Sequence, residues 1–424
     1  MTRLTRRQFG SVALVSAVAL GVPVYLRAQA KPRVVVVGGG AGGATAAHFL
    51  ARDSAGAIDV TLIDNSDVHT TCFFSNLYLG GYRSFDSITH TYGRLEAEYG
   101  ITKRTGRAIA IERDANTVVM EDGRRLEYDR LILSPGISFI WDSVPGYSRE
   151  ASKIAPHAWK AGPQTQLLKA KLDALEDGQN IVMVPPPNPY RCPPAPYERV
   201  SMMAHVLRSK GYRNSTITIL DPKEKFSKQG LFQEGWENHY PGMIEWIGPG
   251  IHGGILSVDV EAGAVETDFD TFEGALLNII PAQRAGGIAQ VAGLTDDSGY
   301  CPVDADSMRS RMDRNIHVIG DAAIAGAMPK SAFAANSQAR VVANHVLGEL
   351  TGWKIFPAHY SNTCWSLIDA DDAVKVGAEY EPRDGAIVSI HSVISQLQED
   401  ASLRKANYEE ALGWYAGITA DMFG

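Results

Sequence analysis

The chain has 424 residues, 45% of them hydrophobic and 21% charged. That length exceeds one ordinary hydrophobic core and predicts two or three domains. The formal net charge is −8 and no Lys/Arg-rich block follows the N-terminal arginines. Nucleic acid is therefore excluded as a partner, because backbone binding needs a basic surface that displaces counterions.

Residues 1–30 read as an export signal. Thr5-Arg6-Arg7-Gln8-Phe9 precedes an apolar run over 12–20, and Ala28-Gln29-Ala30 supplies a small-residue cleavage site. The paired arginines point to the twin-arginine route, and the apolar run falls short of the ~20 residues a membrane span needs. The expectation is a periplasmic protein, exported folded and without stable membrane insertion. In an oxidising compartment the cysteines Cys72, Cys192, Cys301 and Cys364 can form persistent disulfides. Four thiols allow three full pairings, and sequence does not choose among them.

A first nucleotide site follows. The β-branched run Val34-Val35-Val36-Val37 predicts a buried parallel strand. It ends in Gly38, Gly40 and Gly43 of a G-x-G-x-x-G turn, residues 44–53 predict a helix, and a second strand over 58–63 ends in Asp64. Gly38 permits the tight turn, Gly40 lets backbone approach a pyrophosphate, and Gly43 lets helix and strand pack closely; Asp64 is placed to accept ribose hydroxyls. Strand, glycines, helix and acid at this spacing together predict dinucleotide binding. Farther on, Tyr128-Asp129-Arg130-Leu131-Ile132-Leu133-Ser134-Pro135-Gly136 and Asn315-Ile316-His317-Val318-Ile319-Gly320-Asp321 resemble the crossing strand and the second FAD motif of two-domain flavoproteins. That resemblance implies FAD, with Gly320 and Asp321 at the ribityl chain and the helix predicted over 332–347 supporting the pyrimidine end of the ring.

A second strand–helix–strand unit is present in outline over 180–221, but its connecting loop is Pro185-Pro186-Pro187-Asn188-Pro189-Tyr190-Arg191-Cys192-Pro193-Pro194-Ala195-Pro196-Tyr197. It holds no glycine, and proline offers no backbone N–H to a phosphate. A nicotinamide cofactor is not expected there. Glu198, in the first turn of the following helix, is a candidate base for a thiol or for hydrogen sulfide, or a carboxylate that complements the helix N-terminus.

The segments Arg191-Cys192-Pro193-Pro194-Ala195-Pro196-Tyr197-Glu198 and Asn362-Thr363-Cys364-Trp365-Ser366, with Cys72 after the second strand, resemble the flavoprotein subunit of flavocytochrome c sulfide dehydrogenase over the whole chain. The resemblance implies an α/β fold: two Rossmann-like dinucleotide-binding domains of the disulfide-reductase type plus a smaller C-terminal α+β domain. The expected boundaries are 31–145 with 286–352 for the FAD domain, 146–285 for the second Rossmann-like domain, and 353–424 for the last. It also implies covalent attachment of FAD through Cys72, a redox disulfide between Cys192 and Cys364, sulfide as substrate, and a separate c-type cytochrome subunit as electron acceptor. No C-x-x-C-H haem motif occurs in this chain. Cys301 fits neither cysteine role and reads as a small buried residue. Trp365 reads as a core residue or as one packed on the flavin site, and the aromatic stretch 236–251 as core packing, a substrate tunnel or a docking face. His69, His90 and His157 read as surface or packing residues, and no metal site is expected. Two other readings fit the motifs: a sulfide:quinone oxidoreductase, and a non-catalytic flavoprotein partner in sulfur oxidation.

Overall fold

The run Arg33–Val37 is buried except at its first residue, and each valine so placed contributes about 1.5–3 kcal/mol relative to an exposed one. A strand buried on both faces calls for a parallel sheet covered by helices. In the computed structural model, which describes residues 30–424, that sheet has five parallel strands. Their spatial order is Ile316–Val318, Arg130–Leu133, Arg33–Val37, Asp59–Asp64 and Thr102–Thr105. The export signal expected over 1–30 lies, apart from Ala30, outside the described residues. Helix Gly43–Ser54 packs on helix Ala332–Thr351, so the predicted helices flanking the first nucleotide site are both present.

A second parallel sheet runs Ile244–Ile247, Ile217–Leu220, Ile181–Val184, Leu276–Ile279. Between the two sheets the chain crosses as a short antiparallel pair, Ile137–Phe139 with Gln283–Ala285. Helix Ala195–Ser209 follows the proline loop. It opens at Ala195 with Pro196 in its first turn, where a proline loses no intrahelical hydrogen bond, and it holds Glu198 in that turn as expected. Trp236 and Tyr240 are buried with Phe226 and Phe232 in one aromatic cluster, so this stretch is core packing.

The C-terminal part is a three-stranded antiparallel sheet, Tyr360–Asp369, Asp372–Arg383 and Ala386–Ile394, followed by helix Ala401–Phe423. Its strands and single helix are the α+β content expected of this segment. Residues 32–424 form one compact unit. No helix among the described residues is long and apolar enough to cross a membrane.

The hairpin turn is fastened to the second sheet's helices by charge. His239 lies 3.3 Å from the Asp369 carboxylate and 2.6 Å from Asp372, and Arg208 also pairs with Asp369. The two carboxylates hold the His239 imidazolium up to about 9, above its usual 6.5. A raised folded-state pKa gives stability that is complete below about 6.5 and is lost as pH climbs through about 9. The melting temperature should therefore fall over that interval, and the H239Q variant should lose most of this dependence; an unchanged pH profile of melting in H239Q would refute the linkage.

Candidate active site

The glycine turn forms one wall of a cleft of about 560 Å³. Gly38 has φ +101°, and a Cβ there would stand 2.1 Å from the Ser134 carbonyl oxygen. A Cβ on Gly43 would stand 1.9 Å from the Gly38 carbonyl oxygen. At Gly40 the nearest neighbour is His69 Cε1, at 3.5 Å, so this residue presents bare backbone to the cleft. Asp64 lines the cleft and accepts from the Gly39 N–H at 2.6 Å. On the opposite wall Gly320 and Asp321 are buried. The helix Ala332–Thr351 is capped by Ser331, whose hydroxyl accepts from Ala334 N–H, and it sets Ala332 and Ala335 on the cleft. Its dipole favours negative charge there. Glycine backbone, acid and helix N-terminus surround one elongated space, the donor set and shape that a dinucleotide requires.

Three cleft residues escaped sequence reading. His69 was expected at the surface or in packing, yet it faces the cleft, where burial pushes its imidazole down to about 4. Lys160 lies in a loop, and burial pushes its ammonium down to about 8. Arg191 stands 3.5 Å from Asp321 and donates to the Trp159 carbonyl. No motif marks His69 or Lys160, and Arg191 opens the cysteine segment quoted above without a role of its own there. His90 bonds Tyr415 and His157 accepts from Trp159 N–H, both packing roles.

Beyond the cleft lies a smaller cavity of about 90 Å³. Cys72 lines both spaces, and Cys192, Cys364 and Glu198 line the smaller one. The structure thus brings together the three cysteines to which the resemblance gave roles. Cys192 has φ +54°, a conformation few non-glycine residues adopt. Its N–H donates to the Lys330 carbonyl at 2.7 Å and its carbonyl accepts from Ala195 N–H at 2.9 Å. Cys364 sits on the strand Tyr360–Asp369, with the Asn362 amide 3.6 Å from its sulfur. All four cysteines are free thiols: the disulfide expected between Cys192 and Cys364 is not formed here. Burial, then the neighbouring Cys364 and Glu198 charges, push the Cys192 thiol well up; burial also raises Cys364, against the pull of Lys228. Of the two placements expected for Trp365, the structure has the one at the site: it forms the cavity wall with Phe333 and Trp414.

Glu198 is buried in this wall. One carboxylate oxygen accepts from the Asn76 amide at 2.8 Å, the other from Leu367 N–H at 3.0 Å. Burial raises its pKa, and these two hydrogen bonds oppose the rise. A carboxylate so placed takes and returns protons nearer neutrality than a surface glutamate does.

Where a second nucleotide would sit, the protein fills the space itself. Asp221, the acid at the end of the second strand, is fully buried. It accepts from Tyr197 at 2.6 Å and Trp246 at 2.9 Å and pairs with Lys223 at 2.7 Å. Lys223 also donates to the Pro186 carbonyl at 2.8 Å, and Tyr197 stacks on Phe226. The acid that would hold a ribose has no free acceptor, which agrees with the glycine-free loop. Cys301 is buried outside the cavity, with its thiol pushed up to about 12 by burial. Among the described residues, His317, His345 and Glu349 approach metal-ligand spacing. Arg130 and Arg309 both pair with Glu349, so a cation would meet two guanidinium groups there.

Comparison with known proteins agrees with this geometry. A family model described as the central part of the sulfide dehydrogenase (flavocytochrome c) flavoprotein chain matches residues 165–281. A flavocytochrome c sulphide dehydrogenase flavin-binding model matches 357–423, and a pyridine nucleotide-disulphide oxidoreductase model matches 32–184. The mitochondrial sulfide:quinone oxidoreductase of Dictyostelium discoideum is 21% identical over 345 residues, 76% of this chain and 71% of that protein. The sulfide-quinone reductase of Aquifex aeolicus is 29% identical over 183 residues, 42% of this chain and 40% of that one. The crystal structure of the Aquifex aeolicus sulfide:quinone oxidoreductase superposes with a TM-score of 0.71 at 17% identity, covering 92% of each chain. The fold is that of the FAD/NAD-linked disulfide reductases, and the cleft residues fit FAD.

Because a Gly43 side chain has nowhere to go but into Gly38, the G43V variant should be purified with little or no flavin, read as the ratio of absorbance at the flavin band to that of protein. A G43V protein with full flavin content would show that the turn does not form the cradle.

Proposed function

The chain belongs to the flavoprotein family of flavocytochrome c sulfide dehydrogenase, and from that premise we propose that it is a periplasmic enzyme, exported by the twin-arginine route, that oxidises sulfide to sulfur or polysulfide through Cys192, Cys364 and FAD and delivers the electrons to a c-type cytochrome subunit. One observation carries the reading. Two thiols far apart in sequence share a small cavity that touches the flavin cleft through Cys72, while the nicotinamide site is filled by Tyr197, Lys223 and Trp246.

The chemistry suits those residues. Hydrosulfide attacks one sulfur of a Cys192–Cys364 disulfide; a new S–S bond forms, the old one breaks, and its electron pair leaves on the second cysteine as a thiolate. A second hydrosulfide takes the outer sulfur away as a polysulfide chain and leaves both cysteines reduced; FAD, when bound, supplies the two-electron acceptor that lets their disulfide form again. Glu198 takes the proton as hydrogen sulfide becomes the nucleophile. The apolar walls of Phe333, Trp365 and Trp414 exclude water from the sulfur atoms. Gly38, Gly40, Gly43, Asp64, Gly320 and Asp321 would hold FAD, with Cys72 as the covalent attachment point.

The names of the relatives favour a second acceptor. The two relatives described above are sulfide:quinone enzymes, and the aromatic cavity is apolar enough for a ring. Sulfide-reduced protein is expected to pass electrons to cytochrome c faster than to a water-soluble quinone; the reverse order would transfer the chain to the quinone reading. Intact mass is expected to show FAD retained under denaturing conditions and lost in C72S.

Anaerobic sulfide should bleach the flavin of the wild type, and C192S and C364S should keep FAD but lose this response. E198Q should slow it by about 10²-fold. A base works only when deprotonated, so the wild-type rate should fall as pH drops through the raised Glu198 pKa, and E198Q should lack that acid limb. Wild-type flavin that sulfide leaves oxidised would point instead to a non-catalytic partner.

A further inference from the structure

We propose that Lys228 is a positioning residue that holds the negative charge of the reduced thiol pair on Cys364 rather than on Cys192. Lys228 immediately precedes the helix Gln229–His239 and is only 6% exposed. Its backbone is left-handed, at φ +63°, a geometry that non-glycine residues rarely accept. The ammonium donates to the Cys364 carbonyl at 3.0 Å, to the Ser366 hydroxyl at 2.9 Å and to the Val374 carbonyl at 3.3 Å. Every one of these acceptors is neutral. They clamp the cation against the strand that carries Cys364 without cancelling its charge.

A buried ammonium without a bonded anion is costly unless a negative charge forms nearby. The anionic or ionisable neighbours that act on Lys228 are Cys364 first, then Glu198 and Cys192; Arg404, from the C-terminal helix, opposes. Around Cys364 itself stand Asn362 and Ser331 as hydrogen-bond partners and Glu198 as a like charge. Tyr380 faces it from the next strand. Cys192 is placed differently. Cys364, Glu198 and Cys72 all disfavour its thiolate; Arg191, which also serves Asp321, and Arg199 favour it, and Lys228 acts on it less than on Cys364. Field and hydrogen bonds therefore both direct the first ionisation to Cys364. The inference deepens the sulfide reading, on which its catalytic meaning rests: the cysteine on the strand to which Lys228 is clamped is the one that carries charge as the pair reacts.

Ionisation order is measurable without turnover. The FAD-loaded protein, reduced anaerobically with dithiothreitol, is pulsed with iodoacetamide across a pH series, and each cysteine peptide is quantified by mass spectrometry. In the wild type the alkylation midpoint of Cys364 is expected at least about one pH unit below that of Cys192, and K228M should raise the Cys364 midpoint by about one to three units. That shift is a tenfold or greater loss of rate at fixed pH. K228R should restore the wild-type midpoint, which a merely structural role for the residue would not predict. A lower midpoint for Cys192 in the wild type, which needs no variant to fold, would overturn the proposal. So would a folded K228M protein with an unmoved Cys364 profile. Failure of the sulfide reading looks different: flavin left oxidised by sulfide, with the ionisation order intact.

Discussion

The Glu198 carboxylate accepts from Asn76, four residues after Cys72, on one oxygen and from the Leu367 backbone, in the C-terminal sheet, on the other. Glu198 itself stands on the first turn of the helix that follows the proline loop. One side chain thus spans the segments that carry Cys72, Cys192 and Cys364, and it does so at the wall of the cavity they share. Hydrogen bonds to a buried carboxylate are stronger than those between neutral groups, and leaving either donor unpaired is costly. The same contact that registers the three segments keeps a proton acceptor beside the sulfur atoms.

Low dielectric explains the electrostatics of this cavity. Thiols, Glu198 and Lys228 are all buried, and each is displaced toward its neutral form by loss of water. Where every group prefers neutrality, a proton or an electron pair moves at small cost between neighbours. A solvent-exposed arrangement of the same residues would be screened and would hold its charges fixed.

The absent nicotinamide site has the same root. A dinucleotide-binding turn needs bare backbone donors, and this loop offers prolines. The strand–helix–strand scaffold is kept, but Asp221 is turned inward and satisfied by Tyr197, Trp246 and Lys223. The scaffold then serves to place Cys192, held in a left-handed conformation by its bonds to Lys330 and Ala195.

Local chemistry made the first nucleotide turn, the two parallel-strand runs and the glycine-free loop legible in the sequence, because each depends on residues adjacent along the chain: a glycine where a Cβ would collide, a β-branched run where both faces are buried, a proline where a donor is missing. The hairpin carrying Cys364 was not legible, since its alternation of small, polar and aromatic residues fits a strand only once helices cover one face. His69, Lys160 and Lys228 carry no motif, and Arg191 and Trp365 are marked only as neighbours of the two cysteines. Their roles arise from distance in space, and the folded chain alone decides that residues more than a hundred positions apart lie within reach of one another. The sequence by itself determined which groups could react and which cofactor turn could form. Tertiary packing decided which of those groups meet, because desolvation and charge act through space and have no counterpart in chain order.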